Sequence, residues 1–114
     1  MIKVVWFLKR AEGVELAEFQ HWWAHVHAPE IAEAQRGRLR RYVVNLRQPE
    51  DRLAGRPEHD LDWDGCAEQW FDSAADFDAA QAAPGMEAIN ADVARHVSRV
   101  ARMVVQEEPI ALAG

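Results

Sequence analysis

With 114 residues, 49% of them hydrophobic and 28% charged, the chain fits a single folded domain spanning 1–114 and is not disordered in composition. Against 13 basic residues stand 19 acidic ones, and the formal net charge of −6 speaks against a nucleic-acid partner, because phosphate binding needs clustered cations. The lone Cys66 excludes an intrachain disulfide and suits a reducing, cytoplasmic setting.

Residues 1–10, MIKVVWFLKR, are a β-branched and aromatic run that predicts a strand buried on both faces. Its apolar part, 4–8, lies between Lys3 and Lys9 and is too short for a signal-peptide core or a bilayer span. After a turn over Ala11–Gly13 the period becomes helical from Glu15. Phe19, Trp23 and His27 then stand at i, i+4 and i+8, so an ionisable imidazole ends an otherwise apolar stripe. Pro29 disfavours helical geometry at Ala28, so the helix should run to about His27 or a little beyond, before Gly37 breaks the pattern, and a histidine at that end can look into a cavity. His21 and His25 have metal-ligand spacing, but His27 sits about 200° round the helix from His25 and cannot easily join them. They read as surface residues, and no metal is expected.

Residues 39–47 alternate as a second strand, with Tyr42 and Val44 on one face and Val43 and Asn45 on the other. The basic cluster 36–41 before and within it reads as a solvated strand entry. A long polar loop follows over 48–62, of a kind able to carry His59 over a pocket mouth. Residues 63–72 read as a third strand. Ser73 is placed to cap a helix over 74–83, with Asp76 in the capping position. Pro84 and Gly85 punctuate, 86–97 is helical again, and 98–106 closes as a fourth strand.

The order is β-α-β-β-α-β with the second helix in two pieces. That predicts an α+β, ferredoxin-like fold: a four-stranded antiparallel sheet with its helices on one face. Strands one, three and four carry apolar residues of both parities, so the face without helices needs a cover. A second copy of the chain is the economical one, giving a homodimer in which two sheets meet as a dimeric α/β barrel.

The opening MIKVVWFLKR, the helix motif Phe19-x3-Trp23-x3-His27-x-Pro29, the strand Arg41-Tyr42-Val43-Val44-Asn45 and the segment Ala67-Glu68-Gln69-Trp70-Phe71 together resemble the EthD family. The resemblance spans nearly the whole chain in order and spacing. It implies the ferredoxin-like dimeric α/β barrel and kinship with methylmuconolactone isomerases and with fungal polyketide decarboxylases or dehydratases. It implicates His27, Tyr42 and the third-strand position Gln69 in the substrate pocket. The isomerases carry a Cys where this chain has Gln69, and Gln can be neither nucleophile nor acid. Cys66, three residues away, alternates to the opposite face and does not replace it.

The residues then suggest a division of labour. His27, with an ordinary pKa of about 6.5, can accept or donate a proton near neutrality. Tyr42, the sole tyrosine, can stabilise enolate charge, and Gln69 can hold a carbonyl or hydroxyl. Trp6, Trp23, Phe71 and Trp70 are candidates for pocket wall or for the core behind it, His59 for a loop contact. The expected function is cofactor-free proton-transfer chemistry (isomerisation, cyclisation, dehydration or decarboxylation) on an aromatic, lactone or polyketide-like intermediate in an apolar pocket. Two other readings share the pocket. One is a non-catalytic ligand-binding accessory protein of a degradation pathway. The other is a cofactor-independent monooxygenase, since other dimeric α/β-barrel families use Trp and Asn near the substrate.

Overall fold

The computed structural model describes residues 1–114. Strands β1 (Ile2–Arg10), β2 (Leu39–Leu46), β3 (Gly65–Phe71) and β4 (Val97–Val105) form one antiparallel sheet in the order β2-β3-β1-β4. Helices α1 (Leu16–Trp22), α2 (Ala28–Ala34), α3 (Ala74–Gln81) and α4 (Met86–His96) complete it. This is the α+β, ferredoxin-like arrangement. Extents of 45 × 43 × 20 Å match one helical layer on one sheet, which leaves the other sheet face without helices. No helix is long and apolar enough to cross a membrane.

The largest departure from the sequence reading lies at Pro29. The helix does not end at His27. Between α1 and α2 the backbone makes a π turn over Trp23–His27, and Ala28 keeps helical angles of φ −62° and ψ −43°. Pro29 then occupies the first turn of α2. A proline inside a helix lacks one N–H and collides with the carbonyl a turn before it; the wider π turn relieves both. Helical direction therefore continues from Leu16 to Ala34, and residues beyond His27 join the stripe that Phe19 and Trp23 began.

Strand parity follows the pairing. Val4, Gln69 and Tyr42 lie in register, as do Trp6, Ala67 and Val44, and these residues share the helix-covered face. A register shift between Leu39 and Arg41 sets β2 so that Tyr42 meets Gln69. The main core joins Leu8, Phe19, Trp22, Trp23, Ala67 and Val97. Ser73 caps α3 as its position predicts, its Oγ accepting from the Asp76 N–H at 3.1 Å. β3 begins at Gly65 rather than at residue 63, because Trp63 packs on Phe7 (5.9 Å between ring centroids) under the guanidinium of Arg99.

The helix-free face is partly apolar: Val5 and Trp70 are only 7% and 8% exposed on it. Lys3 and Arg41 flank the Trp70 ring at 4.7 and 4.6 Å, and the Trp70 Nε1 donates to Glu107 at 2.7 Å. Asn45 also belongs to this face, donating to Glu68 at 2.9 Å. It shares no pocket with Tyr42.

Gly65 is required for space. A Cβ there would stand 2.4 Å from the Asn45 carbonyl oxygen and 2.8 Å from the Trp23 ring. Gly65→Ala must push either backbone or a fully buried indole. We expect it to destabilise the fold by about 1–3 kcal/mol in urea unfolding, as overpacking does. An unchanged midpoint would refute this account of the contact.

Candidate functional site

A cavity of about 170 Å³ lies between the sheet and the helices. Trp23, His27, Ile31 and Gln35 form one wall of it. Their spacing of four residues is the stripe that the π turn keeps running. Trp6, Ala67, Gln69 and Tyr42 make the sheet side, and Met86, Asn90 and Val93 of α4 close it opposite. The wall is mostly apolar with a few convergent polar groups, the ordinary make-up of a small-molecule site.

Each polar group has a definable state. His27 is largely buried, and removal from water holds its pKa down at about 4; the Asp92 carboxylate opposes that shift and His96 adds to it. The imidazole is therefore neutral at pH 7. Its Nδ1 is buried with no hydrogen-bond partner in the chain. The ring stacks on Trp22 at 4.9 Å, and Trp22 also stacks on His96 at 4.3 Å with planes only 9° apart. Asp92 ties these rings together. It accepts from Trp22 Nε1 at 2.9 Å, and its backbone carbonyl lies 3.0 Å from His96 Nδ1.

On the sheet, Trp6 Nε1 donates to Gln69 Oε1 at 2.9 Å, which fixes the orientation of the Gln69 amide. With its oxygen so held, Gln69 turns its NH2 toward Tyr42. Burial pushes the Tyr42 phenol up to about 12, while Gln69 and Trp23, approaching its oxygen as donors, pull the other way. Tyr42 stays protonated at any ordinary pH. With donors already facing its oxygen, its own O–H is left to give.

The structure thus brings together His27, Tyr42, Gln69, Trp23 and Trp6. Two expected residues lie elsewhere. Phe71 is fully buried beside Val4 and Ala80, edge-on to Phe77 at 5.3 Å, because it lies further along β3 than Gln69, on the same face but under α3 rather than in the cavity. His59 is exposed in the 47–64 segment, whose later part is tied down by Arg47 bonding the Leu61 and Trp63 carbonyls and by Arg99 bonding Asp62. That anchoring runs toward β1 and β4, not over the cavity. His21 and His25 are exposed, their rings 4.9 Å apart. Gln35, Met86 and Asn90 were missed by sequence reasoning. Gln35 was within reach of it: the i+4 stripe extends to 31 and 35 once Pro29 is allowed inside the helix.

A family model described as EthD domain matches residues 11–99. No curated protein matches the chain. Among solved structures, the chain is similar to an EthD family protein from Bacillus halodurans C-125, with TM-score 0.69 and 18% identity over 95% of this chain and 99% of that one. It is similar also to SnoaB, a cofactor-independent oxygenase from Streptomyces nogalater, with TM-score 0.65 and 16% identity over 96% and 94% of the two chains. A dimeric protein of unknown function and ferredoxin-like fold from Bacteroides fragilis NCTC 9343 gives TM-score 0.59 and 17% identity over 93% and 95%. At these identities the likeness is one of fold.

The state of His27 has a measurable consequence. Its pKa is lowered in the fold from 6.5 to about 4, so between those values the unfolded chain binds the extra proton. Stability is then full above pH 6.5 and falls as pH drops toward 4, by up to about 3 kcal/mol. Urea unfolding at pH 7 and pH 4.5 should show that loss in the wild type, and His27→Asn should remove most of it. An equal pH dependence in both proteins would show that His27 is not buried neutral.

Proposed function

The chain belongs to the EthD family, and on that premise we propose that it is a small enzyme moving a proton on a single-ring carbonyl compound, an aromatic or lactone, held in the cavity between helices and sheet. The observation that carries this is the neutral, largely buried His27 imidazole sharing an apolar cavity with a protonated Tyr42. Size sets the substrate class. A cavity of about 150 Å³ holds benzene, so about 170 Å³ takes one ring with small substituents rather than a fused polycycle.

The step balances without a co-reactant. The neutral imidazole of His27 takes a proton from the carbon next to the substrate carbonyl, and the electron pair left behind moves to the carbonyl oxygen. The Tyr42 O–H donates a hydrogen bond to that enolate oxygen, and the Gln69 NH2 can add a second. The imidazolium then returns the proton to a different carbon of the conjugated system, which gives isomerisation. An imidazolium of pKa about 4 is a ready acid, so return is easy and abstraction is the demanding step. Activated carbon acids, conjugated or doubly flanked by carbonyls, are therefore favoured as substrates.

A second reading, cofactor-independent oxygenation, is favoured by Asn90 lying on the same cavity as Trp6 and Trp23 and by the fold shared with SnoaB. Oxygen consumption during turnover separates the two.

The active form we propose is a homodimer joined through the helix-free sheet face. That face carries Val5, Phe7, Met103 and Trp70, and the ferredoxin-like protein from Bacteroides fragilis is dimeric. Light scattering at micromolar concentration should give twice the chain mass of 13.0 kDa; a monomer there would remove this part of the proposal.

The enzyme reading is tested by a thermal-shift panel of lactones, phenolic ketones and anthrones. A ligand at a hundredfold excess over its Kd adds about 2.7 kcal/mol of stability. Single-ring compounds should shift the wild type and anthrones should not. On the compound that binds, His27→Ala should retain binding and lose turnover by about 10²–10⁴-fold. Tyr42→Phe should lose turnover with little change in binding. Turnover that survives in His27→Ala would refute the mechanism, and binding without turnover in wild type would leave an accessory binding protein.

A further inference from the structure

We infer that Gln35 is a second recognition point of the cavity, accepting a hydrogen bond from a substrate hydroxyl, so that the ligand is a hydroxylated ring bearing a carbonyl. The inference rests on the reading of the cavity as a substrate site and adds the polarity of the substrate to it.

Gln35 is only 1% exposed and lines the cavity. It follows directly on α2, and its backbone is fully engaged: its N–H donates to the Ile31 carbonyl at 2.9 Å, and its carbonyl accepts from Arg38 and Leu39. The side chain is not. Its Nε2 finds only the thioether sulfur of Met86 at 3.6 Å, and its Oε1 has no partner at all. Exchanging the amide nitrogen and oxygen would make matters worse, since sulfur offers the oxygen no proton. A buried amide oxygen without a donor is a standing penalty in the fold. Ile31 and Met86, which line the cavity beside it, carry no polar side-chain hydrogen to give, and the donors elsewhere on the lining, Tyr42, Gln81 and Asn90, make no hydrogen bond to this oxygen.

The position on the stripe gives the ligand its orientation. His27 and Gln35 are eight residues apart on one continuous helical run, about 12 Å along its axis, with apolar Ile31 between them. Side chains reaching inward from both ends bracket a distance suited to one substituted ring. The Gln35 oxygen can only accept and the Tyr42 hydroxyl is free to donate. A ligand that satisfies both carries a hydroxyl for the first and a carbonyl for the second. A site built to take a hydroxyl discriminates strongly against the analogue that lacks it, because the protein atom is then left unpaired.

The test uses the matched pair 4-hydroxyacetophenone and 4-methylacetophenone, which differ by hydroxyl against methyl at nearly equal size. Calorimetric titration of the wild type should favour the hydroxyl compound about tenfold or more. In Gln35→Met, and independently in Gln35→Leu, that preference should fall to within about threefold, while each unliganded variant melts a few degrees above wild type for want of the unpaired oxygen. Isomerisation of cyclohex-3-en-1-one to its conjugated isomer, followed by NMR in wild type, the Gln35 variants and His27→Ala, reports the His27 chemistry separately on an activated single-ring carbon acid. Isomerisation with an unchanged hydroxyl preference in both Gln35 variants overturns the Gln35 assignment alone. A preference lost in the Gln35 variants without any isomerisation in wild type supports Gln35 and counts against proton transfer. Binding of neither compound to wild type overturns both.

Discussion

A proline inside a long helix is the constraint on which this site depends. An α-helix has no room for Pro29 at its place, and two outcomes were open: the helix could stop, or it could widen. It widens, through the π turn at Trp23–His27. Because the helix continues, Ile31 and Gln35 follow Trp23 and His27 along one wall. Had it stopped, the cavity would have lost that wall below the histidine, and with it one of the two buried groups that have no partner in the chain.

Around that wall the polar groups are held by tryptophans. The indole N–H of Trp6 fixes the Gln69 amide, that of Trp22 fixes the Asp92 carboxylate beside His27, and that of Trp70 reaches Glu107 across the other sheet face. An indole suits this role because it buries a large apolar surface and still presents one directed donor. The same residues that supply core area therefore set which atom of each polar neighbour is left facing the cavity. Gln69 is turned by Trp6 to show nitrogen rather than oxygen, and His27 is clamped flat against Trp22. Few charged residues stand near the site, and the one carboxylate that bears on His27, Asp92, is partly withdrawn by its bond to the indole.

Much of this was legible in the sequence. The alternation in 39–47 and the run at 1–10 give the strands, and the Ser73 cap gives the start of the third helix. The pairing of His27 with Tyr42 in one cavity follows from the helical stripe, the strand parity and the family motif together. What could not be read was governed by non-local packing. Whether Pro29 ends a helix depends on whether the surrounding core rewards continuing it, and no local rule decides that. Phe71 stands two residues along from Gln69 and shares its face, yet it falls past the cavity because α3 packs over that end of the sheet. The length of its loop suggests a lid for His59; where the loop is tied down depends on Arg47, Arg99 and Lys9, three residues distant in sequence from one another.

That tying-down has a consequence for how such a chain can vary. Asp64, 1% exposed, takes the Arg10 N–H at 2.8 Å and its guanidinium at 2.7 Å, and gives its own N–H to Leu8. Arg47 closes the opposite end of the same segment onto the Trp63 carbonyl. The ends are thus pinned independently of whatever lies between them, and doubling the length of a flexible loop costs only about 0.6 kcal/mol. Insertions and deletions between these two clamps are free to accumulate, so a relative with a much longer or shorter segment here can keep the same cavity.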